Sequence, residues 1–244
     1  AAARAADDAN WAAATGLPAA DRPRAAELAT ALATLRARGF ASQNADRSYM
    51  LGPAPLAPHV AVPATLAATM RPALLDLTDA VDETIHSEMP VGAEVRLIDG
   101  RERRAAPPAS LRVGCHAPAH ATAGGLAILA AMPLERVRSL HAHGLPPWPR
   151  RTVWTQPQLE AELERIRGRG HAVCFQNFEP GVVAVGAAVL DSDGSPVGAF
   201  GVALPLDRYS PRRVDEVVPP LLEACRQAGA AFTEASRGGQ AETA

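Results

Sequence analysis

Cys115, His116 and His120 stand close together in the run Val113-Gly114-Cys115-His116-Ala117-Pro118-Ala119-His120, and such side chains ligate metals. His116 and His120 have the i, i+4 spacing of a ligand pair, provided both lie on one helix. Pro118 between them assigns His116 to the preceding turn instead, and no H-E-x-x-H accompanies the pair. His141, His143 and His171 fall elsewhere, so no metal site is expected. Nucleophilic chemistry has no better support. No G-x-S-x-G occurs, and no Cys–His set has triad-like company. Gly168-Arg169-Gly170 lacks the third glycine and the lysine of a phosphate-cradling loop. The chain is expected to be no enzyme and to carry no cofactor.

The residues that follow point to binding. Thr122-Ala123-Gly124-Gly125-Leu126-Ala127 reads as a helix start stripped of large side chains. Each glycine costs a helix about 1 kcal/mol against Ala, so something should need the missing side chains. A helix N-terminus reduced to backbone, beside the Thr122 hydroxyl, is a natural seat for an acidic or polar small molecule. The same residues would equally let the helix lie close on a sheet. Residue types alone leave both readings open.

Two modules must position these residues. Ala25 to Arg38 reads as a helix, with Leu28, Leu32 and Leu35 on one stripe, Arg36 and Arg38 in its last turn and Gly39 as its stop. A shorter helix over residues 8–15 precedes it, and Phe40 to Leu51 reads as two strands around Asn44-Ala45-Asp46-Arg47. Together they make a winged helix-turn-helix, although residues 1–7 carry no large apolar side chain for its usual first helix. Arg22, Arg24, Arg36, Arg38 and Arg47 stand there against Glu27 and Asp46, whereas from Pro53 onward 18 Arg face 21 acids. A positive excess on a small module is the footprint of phosphate contacts, though a solvated surface could carry it too.

Pro53, Pro55, Pro58 and Pro63 punctuate a linker. Beyond it a helix is expected from Ala64 to about Ile85, interrupted at Pro72, then a strand over Ala93–Ile98 and a helix over Ala119–Ala131. Thr155-Gln156-Pro157-Gln158 looks like a capping box launching a helix through Ile166 to Gly168. Val182–Leu190 and Val197–Leu204 read as strands joined by the turn Asp191-Ser192-Asp193-Gly194. Ser210-Pro211 opens a last helix, bent or broken at Pro219-Pro220. These elements make a two-layer α+β domain with an antiparallel sheet.

Composition sets the outer bounds. The 244 residues, 48% hydrophobic with a net charge of −2, suit a small domain plus a larger one. All 24 basic residues are Arg, which with abundant Ala and Pro reads as the codon bias of a GC-rich genome. No apolar run reaches the length of a membrane span and no signal peptide opens the chain, so a soluble cytoplasmic protein is expected. Cys115, Cys174 and Cys225 form no C-x-x-C pair, and disulfides are not expected; Cys174 and Cys225 read as small buried hydrophobes.

The glycine-rich run resembles the hallmark of the IclR-type bacterial transcription regulators: a Gly, then Pro-x-His-x-Thr/Ser-Ala-x-Gly-Lys-Ala-x-Leu-Ala. Gly114, Pro118, His120, Thr122, Ala123, Gly124, Ala127, Leu129 and Ala130 are matched to it. Tyr49-Met50-Leu51-Gly52-Pro53 looks like the family's Tyr-x-Leu-Gly junction. Thr155, Leu159, Leu163, Ile166, Arg167, Gly170, Gly181-Val182, Asp191, Gly194, Pro205 and Arg208 continue the pattern in order. The resemblance implies a DNA-binding winged helix-turn-helix over residues 1–52, a linker over 53–70, a GAF-like effector-binding domain over 71–236 and a flexible tail over 237–244. It also implies a homodimer or dimer of dimers on a double-stranded DNA operator, with no membrane association.

By position, the family's effector cup would here include Thr122, Ala123, Gly124, Cys174, Ala184, Gly201 and Ala203. Members that bind small organic acids place Asp, Cys and Ser at the last four of these positions, and their lysine after the motif glycine is matched to Gly125. A carboxylate taken out of water needs convergent donors, so the expected effector is more apolar or bulkier than a two- or three-carbon acid. The recognition helix departs as well. Ala26, Ala29, Thr30, Ala33 and Thr34 can touch a thymine methyl but cannot make bidentate guanine contacts. Arg22, Arg24, Arg36, Arg38 and Arg47 would meet phosphates, which orient without reading sequence. Weak, shape-dependent or oligomer-dependent DNA binding follows; the alternative is a sensing or interaction protein of the same ancestry that has lost operator recognition.

Overall fold

The computed structural model describes residues 28, 31–35, 41–43, 49–51, 62–103, 113–145 and 155–241. The chain divides into two units, Ala1–Ala61 and Val62–Ala244. In the first, residues 31–35 are helical, and β1 (Ala41–Gln43) pairs antiparallel with β2 (Tyr49–Leu51) on either side of the expected turn. Leu28 and Leu35, on the expected stripe, are 56% and 43% exposed. Arg22, Arg24, Thr30, Arg36, Arg38 and Arg47 lie outside the described residues, as does the expected helix over residues 8–15.

The second unit runs α1 (Ala64–Val81), β3 (Thr84–Val91), β4 (Glu94–Arg101), β5 (His116–Pro118), a 3-10 turn (Ala119–Ala121) and α2 (Ala123–Ala131). It continues through α3 (Leu134–Leu140), α4 (Gln156–Arg169), β6 (Ala172–Phe175), β7 (Val182–Leu190), β8 (Pro196–Pro205) and α5 (Pro211–Ala241). The strands form one sheet in the order β5-β4-β3-β8-β7-β6, antiparallel at every pairing. β7 and β8 are apolar on both faces, and strands of that kind must be covered twice. Val183, Val185, Phe200, Val202 and Leu204 meet α1 and α5, while Ala184, Ala188 and Ala199 lie on the side of α2 and α4. Helices therefore cover both faces, giving three layers rather than the expected two. The size contrast matters most: bulky side chains fill one face, while Ala184, Gly186 and Ala188 of β7 and Ala199, Gly201 and Ala203 of β8 leave the middle of the other nearly bare.

Local signals account for several boundaries. The capping box forms as read: the Gln158 amide donates to Thr155 Oγ1 at 3.4 Å, and the Thr155 amide donates to Gln158 Oε1 at 2.9 Å. Asp191 Oδ1 accepts from the amides of Asp193 and Ser195, both at 2.9 Å, closing the β7–β8 turn.

Elsewhere tertiary packing overrides the residue types. Pro72 does not interrupt α1, and Pro219-Pro220 do not break α5. A helical proline costs about 3 kcal/mol. Leu66, Met70, Leu74, Leu77 and Val81 are buried along α1, and each contributes about 1.5–3 kcal/mol, enough to outweigh it. α1 stops at Asp82, which caps it with φ +49°, so Thr84 and Ile85 open a strand instead of ending the helix. α1 also begins inside the stretch read as a linker, and α5 continues to Ala241, beyond the start of the expected flexible tail. Among the described residues no helix is long and apolar enough to cross a membrane.

Candidate effector-binding site

A register row crosses four strands on the α2 face: Thr84 lies opposite Ala203, Ala203 opposite Ala184, and Ala184 opposite Cys174. These short side chains floor a cavity. Ala121, Thr122 and Ala123 roof it where the 3-10 turn enters α2, and His86, Glu88, Leu97, Val182 and the segment Asn177–Glu179 wall it. Its volume is about 80 Å³, room for roughly half a dozen water-sized groups. Five of the seven expected residues, Thr122, Ala123, Cys174, Ala184 and Ala203, line this space. Gly124 and Gly201 do not.

Both of those glycines serve close approach. A β-carbon on Gly124 would lie 2.6 Å from Glu88 Oε2, and one on Gly201 would lie 2.2 Å from His86 Nε2. The His86 ring thus lies across a bare stretch of β8. Gly186, on the neighbouring strand, lies directly under α2: its β-carbon would sit 2.4 Å from the Ala123 carbonyl carbon and the Gly124 nitrogen. The backbone of Ala123 and Gly124 is thus seated directly on β7. Gly125 is equally constrained, since its β-carbon would meet the Ala119 carbonyl oxygen at 2.3 Å. The glycine pair is explained by packing, and Thr122 and Ala123 carry the cup.

Polarity in the cup comes from a strand that residue patterns did not disclose. Glu88, on β3, is fully buried. Thr122 Oγ1 donates to Glu88 Oε2 at 3.1 Å and accepts from the Gly125 amide at 2.9 Å, so one hydroxyl both caps α2 and grips the acid. His86 Nε2 lies 3.1 Å from Glu88 Oε1. A carboxylate only accepts, so this nitrogen carries the proton and Nδ1 is left as the ring's second polar position. Burial first, and then the negative field of Glu88, push the Cys174 thiol up to about 12; it is a neutral floor residue.

This difference among the cysteines can be measured. Cys174 and Cys225 are buried and both are pushed up to about 12 by burial, whereas Cys115 is half-exposed. Iodoacetamide at about pH 8 is expected to label Cys115 in the native protein and the other two only after unfolding, read by mass spectrometry. Native labelling of Cys174 at the rate of Cys115 would contradict its burial in the cavity floor.

The two histidines lie on different elements, His116 in β5 rather than in the expected turn and His120 in the 3-10 turn rather than in the expected helix. His116 pairs with Glu94 at 3.2 Å on the β4–β5 edge, while His120 is buried edge-on to His141, with ring centroids 6.0 Å apart. Among the described residues no three metal-ligating side chains gather.

A family model described as "Bacterial transcriptional regulator IclR C-terminal" matches residues 59–230. The chain belongs to the IclR family. An IclR-type protein is a transcriptional regulator rather than an enzyme, and the relatives agree. The HTH-type transcriptional regulator Rv1719 of Mycobacterium tuberculosis is 31% identical over 179 residues, covering 72% of this chain and 67% of its own. The HTH-type transcriptional regulator BhcR of Paracoccus denitrificans is 28% identical over 200 residues, with 80% and 72% covered. In fold, the crystal structure of the Thermotoga maritima IclR superposes with a TM-score of 0.65 at 21% identity, over 93% of this chain and 90% of that one. Counted from Pro118, the IclR motif glycine falls at Gly125 and its lysine at Leu126, one place beyond the match made from sequence. Leu126 is buried among apolar neighbours, so this IclR-family cup has no lysine at its roof.

Proposed function

We propose that this regulator binds operator DNA through a winged helix-turn-helix over residues 1–52 and senses a small effector in the cup of a GAF-like C-terminal domain. Thr122, Ala123, Cys174, Ala184 and Ala203 contact the effector, with Gly124 and Gly201 making room for the walls. The observation that carries this reading is the open hollow above the Thr84–Ala203–Ala184–Cys174 row. Its largely apolar lining favours a guest more apolar than a short organic acid, and its volume of about 80 Å³ suits a compact one.

On the DNA, Arg22, Arg24, Arg36, Arg38 and Arg47 meet phosphates and Thr30 a base edge, with two or four copies of the chain acting together in the cytoplasm. A ligand that prefers one arrangement of the sensing domain shifts the paired DNA-binding modules by its difference in affinity for the two states. The test is a gel shift of the full chain on DNA from upstream of its own coding sequence. Binding at low salt that weakens steeply as salt rises is expected, because phosphate contacts release counterions. No shift at low salt would favour the alternative, a sensing protein that has lost operator recognition.

A further inference from the structure

We infer that the cup selects a compact neutral or cationic hydrogen-bond donor, an alcohol or amine, and rejects carboxylates, with Glu88 as the selecting residue and His86 holding it in place. This rests on reading the cup as the effector site. Glu88 is fully buried, yet it is one of the residues that line the cavity. Its two known partners, His86 Nε2 and Thr122 Oγ1, take one position on each oxygen. A carboxylate offers about four acceptor positions, so a guest that parts Glu88 from its packing, which leaves it no exposed surface, still finds acceptor capacity there.

Charge points the same way. Among the described residues the lining holds a second acid, the exposed Glu179, and no Arg; the chain has no Lys at all. Even a protonated His86 would only cancel Glu88. A carboxylate entering this space would lose its water and meet no net positive charge, whereas an ammonium or hydroxyl would find an acceptor already desolvated. His86 can lie beside Glu88 only because position 201 has no side chain. The floor that looks empty in sequence is therefore the space that lets β3 supply the polar group.

The experiment uses the full chain and three probes with one branched four-carbon skeleton: isobutylamine, isobutanol and isobutyrate. Melting temperature is read against probe concentration. For wild type, isobutylamine or isobutanol at saturation is expected to raise it by about 5 °C or more, with isobutyrate at least about tenfold weaker. Glu88→Gln keeps one acceptor oxygen for one of the two donors, His86 or Thr122, turns an NH2 toward the other and removes the charge, and should erase most of that discrimination. Ala184→Leu fills the hollow and should abolish every response. Isobutyrate binding as well as the others, or a ranking unchanged in Glu88→Gln, overturns the donor assignment and leaves the cup as a site. If none of the three probes stabilises the protein, or Ala184→Leu responds like wild type, the cup reading itself falls, and this inference with it. Should Glu88→Gln not fold, the wild-type ranking still decides the matter.

Discussion

Gly186→Val is expected to lower the melting temperature of the chain by about 6–12 °C, through overpacking of roughly 3 kcal/mol. The cause is backbone against backbone. Any β-carbon at 186 would fall 2.4 Å from the Ala123 carbonyl carbon and the Gly124 nitrogen, and no rotamer change can relieve that contact. α2 is buried from Ala123 through Ala130, so lifting it disturbs contacts on every side. The same displacement moves the cup roof at Thr122 and Ala123, so loss of probe binding should accompany loss of stability. Gly168→Ala is the control. It lies near the end of α4, its β-carbon meets nothing within 4 Å, and Ala is the better helix former, so it should be neutral or slightly stabilising. A Gly186→Val protein melting within about 2 °C of wild type would contradict the close seating of α2 on β7.

Glu83→Ala should cost about 3 kcal/mol, measured as a lowered urea midpoint at unchanged slope. Glu83 is fully buried at the junction of α1, β3 and α5. Its Oε1 accepts from Arg208 at 2.7 Å and from Arg213 Nε and Nη2 at 3.3 and 3.1 Å; Arg213 also donates to the Val81 carbonyl at the end of α1. The hydrogen bond to Glu83 raises the Arg208 guanidinium further above its ordinary value. Truncation would leave two guanidinium groups converging on an empty space. Both keep some solvent, which places the cost near the low end for breaking a buried pair. Glu83→Gln should fall between, since its amide oxygen still accepts but the charge is gone. An Ala variant within about 0.5 kcal/mol of wild type would mean the arginines find other partners.

What residue types reveal here is what is local. The Thr155 capping box, the Asp191–Gly194 turn and the apolar runs of β7 and β8 each depend on neighbours in the chain, and each forms within a residue or so of its expected place. Pro72 and Pro219-Pro220 mislead because their cost is also local, while the burial that outweighs it comes from distant elements. In the cup, the small floor positions Cys174, Ala184 and Ala203 follow from the resemblance. Glu88 and His86 do not, for a physical reason. Reading Ala64 to Ile85 as one helix hides the start of β3, and without that strand no alternation shows that His86 and Glu88 share a face. The available signal is the β-branched pair Thr84-Ile85 after Asp82, followed by His86 and Glu88 at period two.

Electron density for the full chain, crystallised as purified or with isobutylamine, tests the central claim most directly. A compact non-protein molecule is predicted above the Thr84–Ala203–Ala184–Cys174 row, beneath Thr122, with its donor within hydrogen-bonding distance of Glu88. A hollow closed by Phe178 or His86, with the amine bound elsewhere or nowhere, would contradict it.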